Sequence, residues 1–346
     1  MADLVCNTIW DNEVYIIDFT MTIAVVIATY NGERFLREQL DSVLAQTLLP
    51  SEIIIQDDSS KDGTWELLVS YQRRYPDLIR LYRNEQSLGA HGNFIKAFQY
   101  VTADYIAPCD QDDIWMPEKL ERLHNALSKN NYSLVACKEL IRYEDGEEVL
   151  NGYLMPSLED CIFNHSIAGH LMMVPRNVTK VFEITDNISF DFGMALWAAC
   201  ENGGLVIDYH GCVWRRHSSV ITTAYSDHNP YKIEGISKWR KLAYTLKSTM
   251  KGKRSLAIYE REFAIHQVIA HFARDKKDMC IYDRLALNMM KQTPISLLRA
   301  GIILGKIKSK KSEYHAYSLK DKIANRLFNL CYPAVFWYDY HMHNAL

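Results

Sequence analysis

Short runs of apolar, largely β-branched residues alternate with amphipathic segments through the first part of the chain. The runs predict five strands, at residues 22–28, 52–57, 78–82, 104–108 and 133–137. Apolar side chains at helical spacing predict helices between them, at 33–46, from Asp62 onward, at 94–100 and at 117–127. Strands and helices that alternate in this way are typical of an α/β fold, a mostly parallel sheet with helices on both sides.

The pattern changes on either side of this region. Residues 143–152 have the pattern of a polar hairpin, residues 164–217 mix helix and strand signals, and the chain becomes mainly helical after Ser237. Met21 directly precedes the first strand, so residues 1–21 are interpreted as an N-terminal extension or a misassigned start. We therefore expect one α/β domain at 22–220 and a C-terminal helical region at 221–346.

Polar residues follow three of the predicted strands at the point where each strand ends. These segments are 29–31 after the first strand, 57–60 after the second and 110–113 after the fourth. In parallel sheets, ligands bind beyond the carboxyl ends of the strands. The sequence therefore predicts a binding site formed by these three segments.

The third segment carries three carboxylates within four residues, Asp110, Asp112 and Asp113. Carboxylates this close repel one another unless a cation or hydrogen-bond donors offset their charge. Hard oxygen ligands suit Mg²⁺ or Mn²⁺, which also bind substrate phosphates. The alternative is a turn rich in Asp without a ligand. In the second segment, Asp57 and Asp58 are candidates to bind a base or a ribose hydroxyl, whereas Ser60 and Asp62 are candidate helix caps.

The three segments together resemble the GT-A glycosyltransferases of family 2, which have a Rossmann-like sheet. The motifs are Ala-Thr-Tyr-Asn at 28–31, Asp-Asp-Ser-Ser-Lys-Asp-Gly-Thr at 57–64 and Asp-Gln-Asp-Asp-Ile-Trp at 110–115. The last is similar to the rhamnosyltransferase-like branch of bacterial surface-polysaccharide enzymes. The resemblance covers residues 22 to about 220 and implies nucleotide-sugar binding at 22–115 and acceptor binding at 116–220.

The resemblance assigns a role to individual residues of this sequence. On the donor side it implies a nucleobase pocket formed by Thr29, Tyr30, Glu33, Asp57 and Asp58. It also implies a donor contact at Asn93, a metal site at Asp110 and Asp112, and a donor-sugar contact at Asp113. On the other side it implies an acceptor segment at Gly169 and His170 and a catalytic base at Asp191. It also implies a diphosphate contact at Arg215 and a further metal ligand at His217. Without the resemblance, the residues favour Asp191 as the N-cap of a helix and His170 and His217 as ordinary core or surface histidines.

The resemblance therefore implies an inverting, metal-dependent glycosyltransferase of the hexosyltransferase type. Its cofactor would be Mn²⁺ or Mg²⁺, its donor a UDP- or dTDP-sugar such as a rhamnose donor, and its acceptor a hydroxyl of a glycan or of a lipid-linked saccharide. Two other readings stay open, a sugar nucleotidyltransferase and a non-catalytic nucleotide-sugar-binding subunit. No G-x-G-x-x-G motif follows the first strand, which argues against a dinucleotide-dependent oxidoreductase.

Charge and cysteine content add an expectation about location. The eight cysteines form no C-x-x-C pair, and the acidic first twenty residues lack the features of a secretory signal, which favours the cytoplasm. Residues 231–330 carry 22 Lys/Arg and 8 Asp/Glu although the whole chain has a net charge of -3. Residues 295–311 join an apolar stretch to a basic end, which is typical of peripheral contact with the inner face of a membrane or of a packed helix. We expect no nucleic-acid partner.

Overall fold

The structure of the protein is a computed structural model. It describes residues 7–10, 13–16, 21–152, 154–162, 167–217, 256–274, 276, 280–291 and 294–309, and all statements below concern these residues. The chain divides into two compact units. The first unit contains residues 1–157, 165–182 and 189–217, and the second contains residues 158–164, 183–188 and 218–346.

The described residues form eleven strands and ten α-helices. The strands are β1 Asn7–Trp10, β2 Glu13–Ile16, β3 Ile23–Thr29, β4 Glu52–Asp57, β5 Ile79–Arg83, β6 Tyr105–Asp110, β7 Ile114–Trp115, β8 Leu134–Tyr143, β9 Glu148–Asn151, β10 Met172–Pro175 and β11 Gly204–Arg216. The helices are α1 Glu33–Leu44, α2 Thr64–Arg74, α3 Gly89–Phe98, α4 Lys119–Lys129, α5 Leu158–Ile162, α6 Val181–Ile184, α7 Phe190–Cys200, α8 Leu256–Phe272, α9 Cys280–Lys291 and α10 Pro294–Ser309. Two 3₁₀ helices span Gly169–Leu171 and Arg176–Lys180.

Nine of the strands form one mixed sheet in the first unit. Its order is β5-β4-β3-β6-β10-β8-β11-β7, with β9 paired to β8. Strands β5, β4, β3 and β6 are parallel, as the alternating pattern predicts. Strand β10 is antiparallel to both of its neighbours, so the second half of the sheet is mixed rather than mostly parallel. The direction of β10 depends on how the chain returns after the β8–β9 hairpin, and the local hydrophobic pattern does not encode that return.

The central strand β3 owes its position to an uninterrupted apolar run. Its residues 23–27 are at most 3% exposed, as expected of a strand covered on both faces. Helix α3 packs on β3 and β4. Along the chain, β4 and β5 are added on one side of β3 and β6 on the other. The order of strands therefore reverses between β3 and β6, and such a reversal opens a crevice at the carboxyl ends of these strands.

The second unit contains the C-terminal helices. Helix α8 packs on α9, and α9 packs on α10. Helical structure after residue 237 is therefore present where the structure describes this region. Of the helices described, none combines the length and the apolar character that crossing a membrane requires. The strands β1 and β2 form an antiparallel hairpin within the predicted N-terminal extension, which the sequence analysis does not predict.

Candidate active site

The loops that follow β3 and β6 are joined across the crevice. The side chain of Gln111 accepts a hydrogen bond from the backbone N–H of Tyr30 at 2.8 Å and donates one to the carbonyl oxygen of Tyr30 at 3.0 Å. The ring of Tyr30 itself is half exposed. The two loops that the sequence analysis assigns to the site are thus held together by one amide side chain.

The loops after β3 and β4 also interlock, through two residues in the left-handed region. Asn31 has φ of 48° and Ser59 has φ of 65°, a conformation uncommon for residues other than glycine. The backbone N–H of Asn31 donates to Oγ of Ser60 at 3.0 Å, and Oδ1 of Asn31 accepts from the N–H of Lys61 at 2.8 Å. These contacts explain why the strained turns persist.

Asp57 lies at the end of β4 and is fully buried. Its carboxylate accepts hydrogen bonds from Oγ of Thr29 at 3.1 Å and from Oγ of Ser60 at 2.5 Å, and it lies 3.2 Å from Nε of Arg83. The predicted cap role of Ser60 is therefore replaced by a contact that holds Asp57. Asp62 does accept hydrogen bonds from Thr64 at the start of α2.

Asp58 is 2% exposed and is surrounded by donors from the segment that leads into α3. Its Oδ1 accepts from Nδ2 of Asn84 at 2.8 Å and from the N–H of Leu88 at 2.7 Å. Its Oδ2 accepts from Oγ of Ser87 at 2.6 Å and from the N–H of Gly89 at 2.9 Å. The carboxylate of Asp58 therefore organises the start of α3, and its role toward a nucleobase stays a prediction.

Asn93 and Glu33 also make contacts within the protein. Oδ1 of Asn93 accepts from Asn84 and its Nδ2 donates to the carbonyl oxygen of Gln56, both at 2.8 Å, and the side chain is 1% exposed. Oε2 of Glu33 accepts from the N–H of Gly63 at 2.9 Å. The side chain of Asn93 thus faces the interior between β4 and α3, and its predicted donor contact is untested.

The three carboxylates of the acidic segment differ in their exposure to solvent. The side chain of Asp110 is 42% exposed, that of Asp112 is 19% exposed and that of Asp113 is completely buried. Neither oxygen of Asp113 has a hydrogen-bond partner among the described residues. Asp113 therefore faces the interior in this structure, and its predicted approach to a donor sugar is not tested by it.

Asp112 is paired with His217. Nε2 of His217 lies 3.0 Å from Oδ2 of Asp112, and the imidazole stacks on Phe35 with ring centroids 4.2 Å apart. Burial raises the pKa of Asp112, and the nearby carboxylate of Asp110 raises it further. A cation bound at Asp112 would offset both effects, because it stabilises the ionised carboxylate.

Arg215 fixes the same segment from β11. Its Nε donates to the carbonyl oxygen of Asp112, and its guanidinium lies 2.5 Å from Oε2 of Glu38 and 3.1 Å from the carbonyl oxygen of Phe35. The predicted diphosphate contact therefore lies beside the acidic segment, where it is paired with Glu38.

His170 contacts the other two carboxylates of the segment. Its Nδ1 lies 3.2 Å from Oδ2 of Asp110 and 3.6 Å from Oδ2 of Asp113, and its Nε2 lies 2.8 Å from Oε2 of Glu139. Burial lowers the pKa of His170, but Asp113, Asp110 and Glu139 together raise it well above its ordinary value. Both ring nitrogens face carboxylate oxygens, which fits an imidazolium that donates in both directions.

The predicted metal ligands are only partly gathered. Among the described residues, Asp113, His170 and Cys212 are the group of three potential ligands whose donor atoms all lie within 4.8 Å of one another. The predicted set of Asp110, Asp112 and His217 is not such a group, because Asp110 faces His170 whereas Asp112 faces His217. The donor set at Asp112 and His217, two ligands with Asp110 nearby, still has the oxygen and nitrogen chemistry that suits Mn²⁺.

The predicted base lies on the acceptor side, next to the segment of His170. Asp191 is half-buried in the first turn of α7, with Ser189 in the N-cap position, so Asp191 is not the cap. Its Oδ1 accepts from the N–H of Phe192 at 2.8 Å. A Cβ at Gly169 would collide with the ring of Phe190 and lie 3.4 Å from Cβ of Asp191. The absence of a side chain at Gly169 thus allows the start of α7 to approach the segment that carries His170.

Comparison with known proteins identifies the family. The model of the glycosyl transferase family 2 matches residues 24–194. An uncharacterized protein of Mycobacterium tuberculosis is 37% identical over 264 residues, which are 73% of this chain and 74% of that protein. The chain belongs to glycosyltransferase family 2.

Relatives with named activities match shorter stretches of this family 2 glycosyltransferase. The dTDP-rhamnosyl transferase RfbG of Shigella flexneri is 34% identical over 128 residues, 36% of this chain and 44% of RfbG. The UDP-Glc:alpha-D-GlcNAc-diphosphoundecaprenol beta-1,3-glucosyltransferase WfgD of Escherichia coli is 33% identical over 113 residues, 33% of this chain and 44% of WfgD. The crystal structure of residues 1–349 of S. aureus TarS with UDP has a TM-score of 0.54 at 16% identity and covers 94% of this chain and 92% of that one. TarS shares the fold with this glycosyltransferase.

The sequence analysis of this glycosyltransferase missed several residues of the site. Gln111 joins two loops, Glu139 pairs with His170, and Glu38 pairs with Arg215. Lys119 is fully buried, and its Nζ donates to the carbonyl oxygen of His170 at 2.6 Å. One signal was available: Lys119 precedes Leu123 by four residues, which places it on the buried face of α4.

Proposed function

We propose that this glycosyltransferase transfers a sugar from a UDP- or dTDP-sugar to a hydroxyl group of a glycan or a lipid-linked saccharide, with inversion and with Mn²⁺ or Mg²⁺. One observation supports this most. The segments 29–31, 57–60 and 110–113 converge at the point where the strand order reverses, with Asp112 and His217 in contact at its acidic side. That arrangement offers a polar pocket beside a site for a divalent cation.

Asp112 and His217 would hold the metal ion. The carboxylate of Asp110 lies close enough to strengthen the attraction of this site for a cation. A bound divalent ion supplies charge stabilisation for the departing nucleoside diphosphate. Arg215 lies beside Asp112 and can add a second cationic group once its guanidinium turns from Glu38 toward a diphosphate. The buried Asp57, held by Thr29 and Arg83, forms the floor on the nucleotide side.

Asp191 is the proposed base. Asp191 is half-buried, and one of its carboxylate oxygens accepts a hydrogen bond from the N–H of Phe192. The other oxygen accepts none from the described residues and is available to a hydroxyl group. Proton removal by a carboxylate in the transition state makes the acceptor oxygen a better nucleophile. The packing of α7 against Gly169 brings Asp191 close to the segment that carries His170.

The relatives support the donor and acceptor classes. RfbG is named for dTDP-rhamnose, WfgD for UDP-Glc and a diphosphoundecaprenol-linked acceptor, and the TarS structure contains UDP. The Asp-Gln-Asp-Asp-Ile-Trp segment at 110–115 also favours the rhamnosyltransferase-like branch. A hexose or deoxyhexose donor on a nucleoside diphosphate is therefore the class to test first.

Transfer and hydrolysis of a panel of UDP- and dTDP-sugars, with and without Mn²⁺, test the proposal. We expect metal-stimulated release of the nucleoside diphosphate, and its loss in Asp112→Asn but not in Asp77→Asn, a matched change at an exposed aspartate. Asp191→Asn should retain binding of the nucleoside diphosphate while turnover falls at least 100-fold, within the range of general base catalysis. Full metal-stimulated activity in Asp112→Asn would contradict the metal assignment. Sugar-nucleotide synthesis from a nucleoside triphosphate and a sugar phosphate would favour a nucleotidyltransferase, and binding without turnover a non-catalytic subunit.

We further propose that α10 contacts the inner face of a membrane, where a lipid-linked acceptor would be found. Ile295, Leu298 and Ile302 are 65%, 50% and 48% exposed and recur at helical spacing on one side of α10. Arg299 and Lys306 are exposed on the same helix, and such a pairing favours anionic headgroups. In a flotation assay we expect binding to vesicles that contain phosphatidylglycerol and weaker binding after Leu298→Glu with Ile302→Glu. Absence of flotation of the unmodified protein would exclude this contact.

A further inference from the structure

Three ionisable side chains lie buried directly behind the acidic segment. Glu139 and Asp113 are completely buried and His170 is 5% exposed. His170 lies between the two carboxylates, with Nε2 on the side of Glu139 and Nδ1 on the side of Asp113 and Asp110. A buried charge is unfavourable unless it is paired and hydrogen-bonded. Glu139 and His170 therefore stabilise each other in this arrangement, whereas neither oxygen of Asp113 has a hydrogen-bond partner among the described residues.

Glu139 is held rigidly in β8. Its Oε2 lies 2.8 Å from Nε2 of His170, and its Oε1 accepts a hydrogen bond from Nδ2 of Asn151 at 2.8 Å. Asn151 belongs to β9, which pairs with β8 so that Asn151 and Glu139 are directly opposite. Both oxygens of the carboxylate are thus engaged, and its orientation is set by the β8–β9 hairpin.

His170 transmits that orientation to both sides of the candidate active site. On one side, its Nδ1 contacts Asp110 at 3.2 Å, the exposed carboxylate of the acidic segment. On the other side, its chain neighbour Gly169 is packed against the start of α7. A Cβ added to Gly169 would lie only 3.4 Å from Cβ of Asp191. A shift of the imidazole would therefore disturb Asp110 directly, and a shift of the backbone that carries Gly169 and His170 would also displace the start of α7 with Asp191.

We propose that Glu139 is a positioning residue of the transfer reaction, which acts through His170 to set the geometry between Asp110 and Asp191. This inference rests on the proposed function. Glu139 is too deeply buried to touch a substrate, so its effect is on turnover rather than on donor binding. Partners that orient a site residue in this way commonly change activity by about 10- to 100-fold when they are replaced.

The test compares two identical chemical changes on one hairpin. Glu139→Gln keeps the size of the side chain but offers an N–H₂ group to either His170 or Asn151, both of which present donors to Glu139. Glu148→Gln alters an exposed glutamate of β9 whose partner is Arg142. We expect kcat to fall about 10- to 100-fold in Glu139→Gln, with the donor KM within about 3-fold of the unmodified protein, and no change in Glu148→Gln.

A second pair of measurements separates positioning from stability. The fraction of folded protein and the thermal midpoint are measured for each variant, and kcat is calculated per folded molecule. Asn151→Ala removes one hydrogen bond to Glu139 without touching His170, and we expect a smaller fall in kcat with an unchanged donor KM. Asn151→Ala therefore still tests the positioning role of Glu139 if Glu139→Gln fails to fold.

The outcomes distinguish this inference from the proposed function. An unmodified protein that transfers sugar, together with Glu139→Gln and Asn151→Ala variants whose kcat per folded molecule equals that of Glu148→Gln, overturns the inference alone. A fall confined to the donor KM also overturns it, because Glu139 would then act on binding. An unmodified protein without transfer or hydrolysis of any donor overturns the proposed function and, with it, the positioning role.

Discussion

Asp58→Asn tests whether Asp58 mainly holds the start of α3 or mainly binds a ligand. The carboxylate accepts four hydrogen bonds, two at each oxygen, from Asn84, Ser87, Leu88 and Gly89. Asparagine has the same size but presents an N–H₂ group on one side. If that group takes the place of Oδ2, the hydroxyl of Ser87 can rotate and accept from it, whereas the N–H of Gly89 cannot.

The size of the effect follows from these contacts. Loss of the hydrogen bond from the partly buried N–H of Gly89 to this charged acceptor costs about 1.5–3 kcal/mol. Because α3 begins at Gly89, removal of the negative charge at its N-terminus costs about 0.3–1 kcal/mol more. The free energy of unfolding should therefore fall by about 2–4 kcal/mol. For a domain of this size that corresponds to a thermal midpoint roughly 4–16 °C lower.

Thermal unfolding followed by circular dichroism measures this change, with Asp77→Asn as the exposed control. Isothermal titration with UDP or dTDP, at a temperature where both variants are folded, measures ligand binding. We expect a lower midpoint in Asp58→Asn and a smaller effect on affinity. A midpoint equal to that of Asp77→Asn, together with a large loss of nucleotide affinity, would refute the structural reasoning and assign Asp58 to the nucleobase pocket.

Three further substitutions test other parts of the structure. Gly169→Ala should reduce turnover at least 10-fold in a steady-state assay, because the added Cβ collides with Phe190; unchanged turnover would contradict that packing. Lys119→Met should lower the free energy of unfolding by about 1–3 kcal/mol in urea titrations relative to the exposed Lys129→Met, because it leaves the buried carbonyl oxygen of His170 without its donor. Burial lowers the pKa of His266 to about 4, so its neutral form stabilises the fold above pH 6.5, and that contribution is lost as the pH falls toward 4. The difference in free energy of unfolding between His266→Leu and the unmodified protein should therefore shift by roughly 2 kcal/mol in favour of the variant when the pH is lowered from 7.5 to 5. An equal difference at both pH values would contradict the assignment.

Local sequence signals were sufficient for the first half of the fold. The apolar runs of β3 and β4 predict strands within a residue or two of the observed ones, because strands buried on both faces need continuous apolar sequence. The position of Asp57 and Asp110 at strand ends followed directly, since parallel strands bring their carboxyl ends to one edge. The hairpin of β1 and β2 had a signal that was not used, two short strand-like segments separated by Asp11 and Asn12.

Contacts within the site could not be predicted in the same way. Glu139 lies in a strand, where a charged residue is ordinarily expected to face solvent. Its burial depends on His170, which is brought to it by β10, and β10 pairs with β8 through long-range antiparallel contacts. The sequence motif at 57–58 indicates two adjacent carboxylates but not that Asp58 is turned toward Ser87 and Gly89. Side-chain direction at a strand end depends on which loop lies opposite, and that is a property of the assembled sheet.

The buried charges behind the acidic segment are better explained by geometry than by stability. Lys119 and Glu139 are each completely buried, and both contact His170. A well-packed apolar core in their place would be equally or more stable, because the desolvation of paired charges largely offsets their attraction. Paired charges, unlike apolar side chains, are satisfied in few orientations. They lie where the parallel strands β5, β4, β3 and β6 meet the mixed second half of the sheet. A fixed orientation matters most there, because Asp110 ends β6 and Gly169 leads into β10.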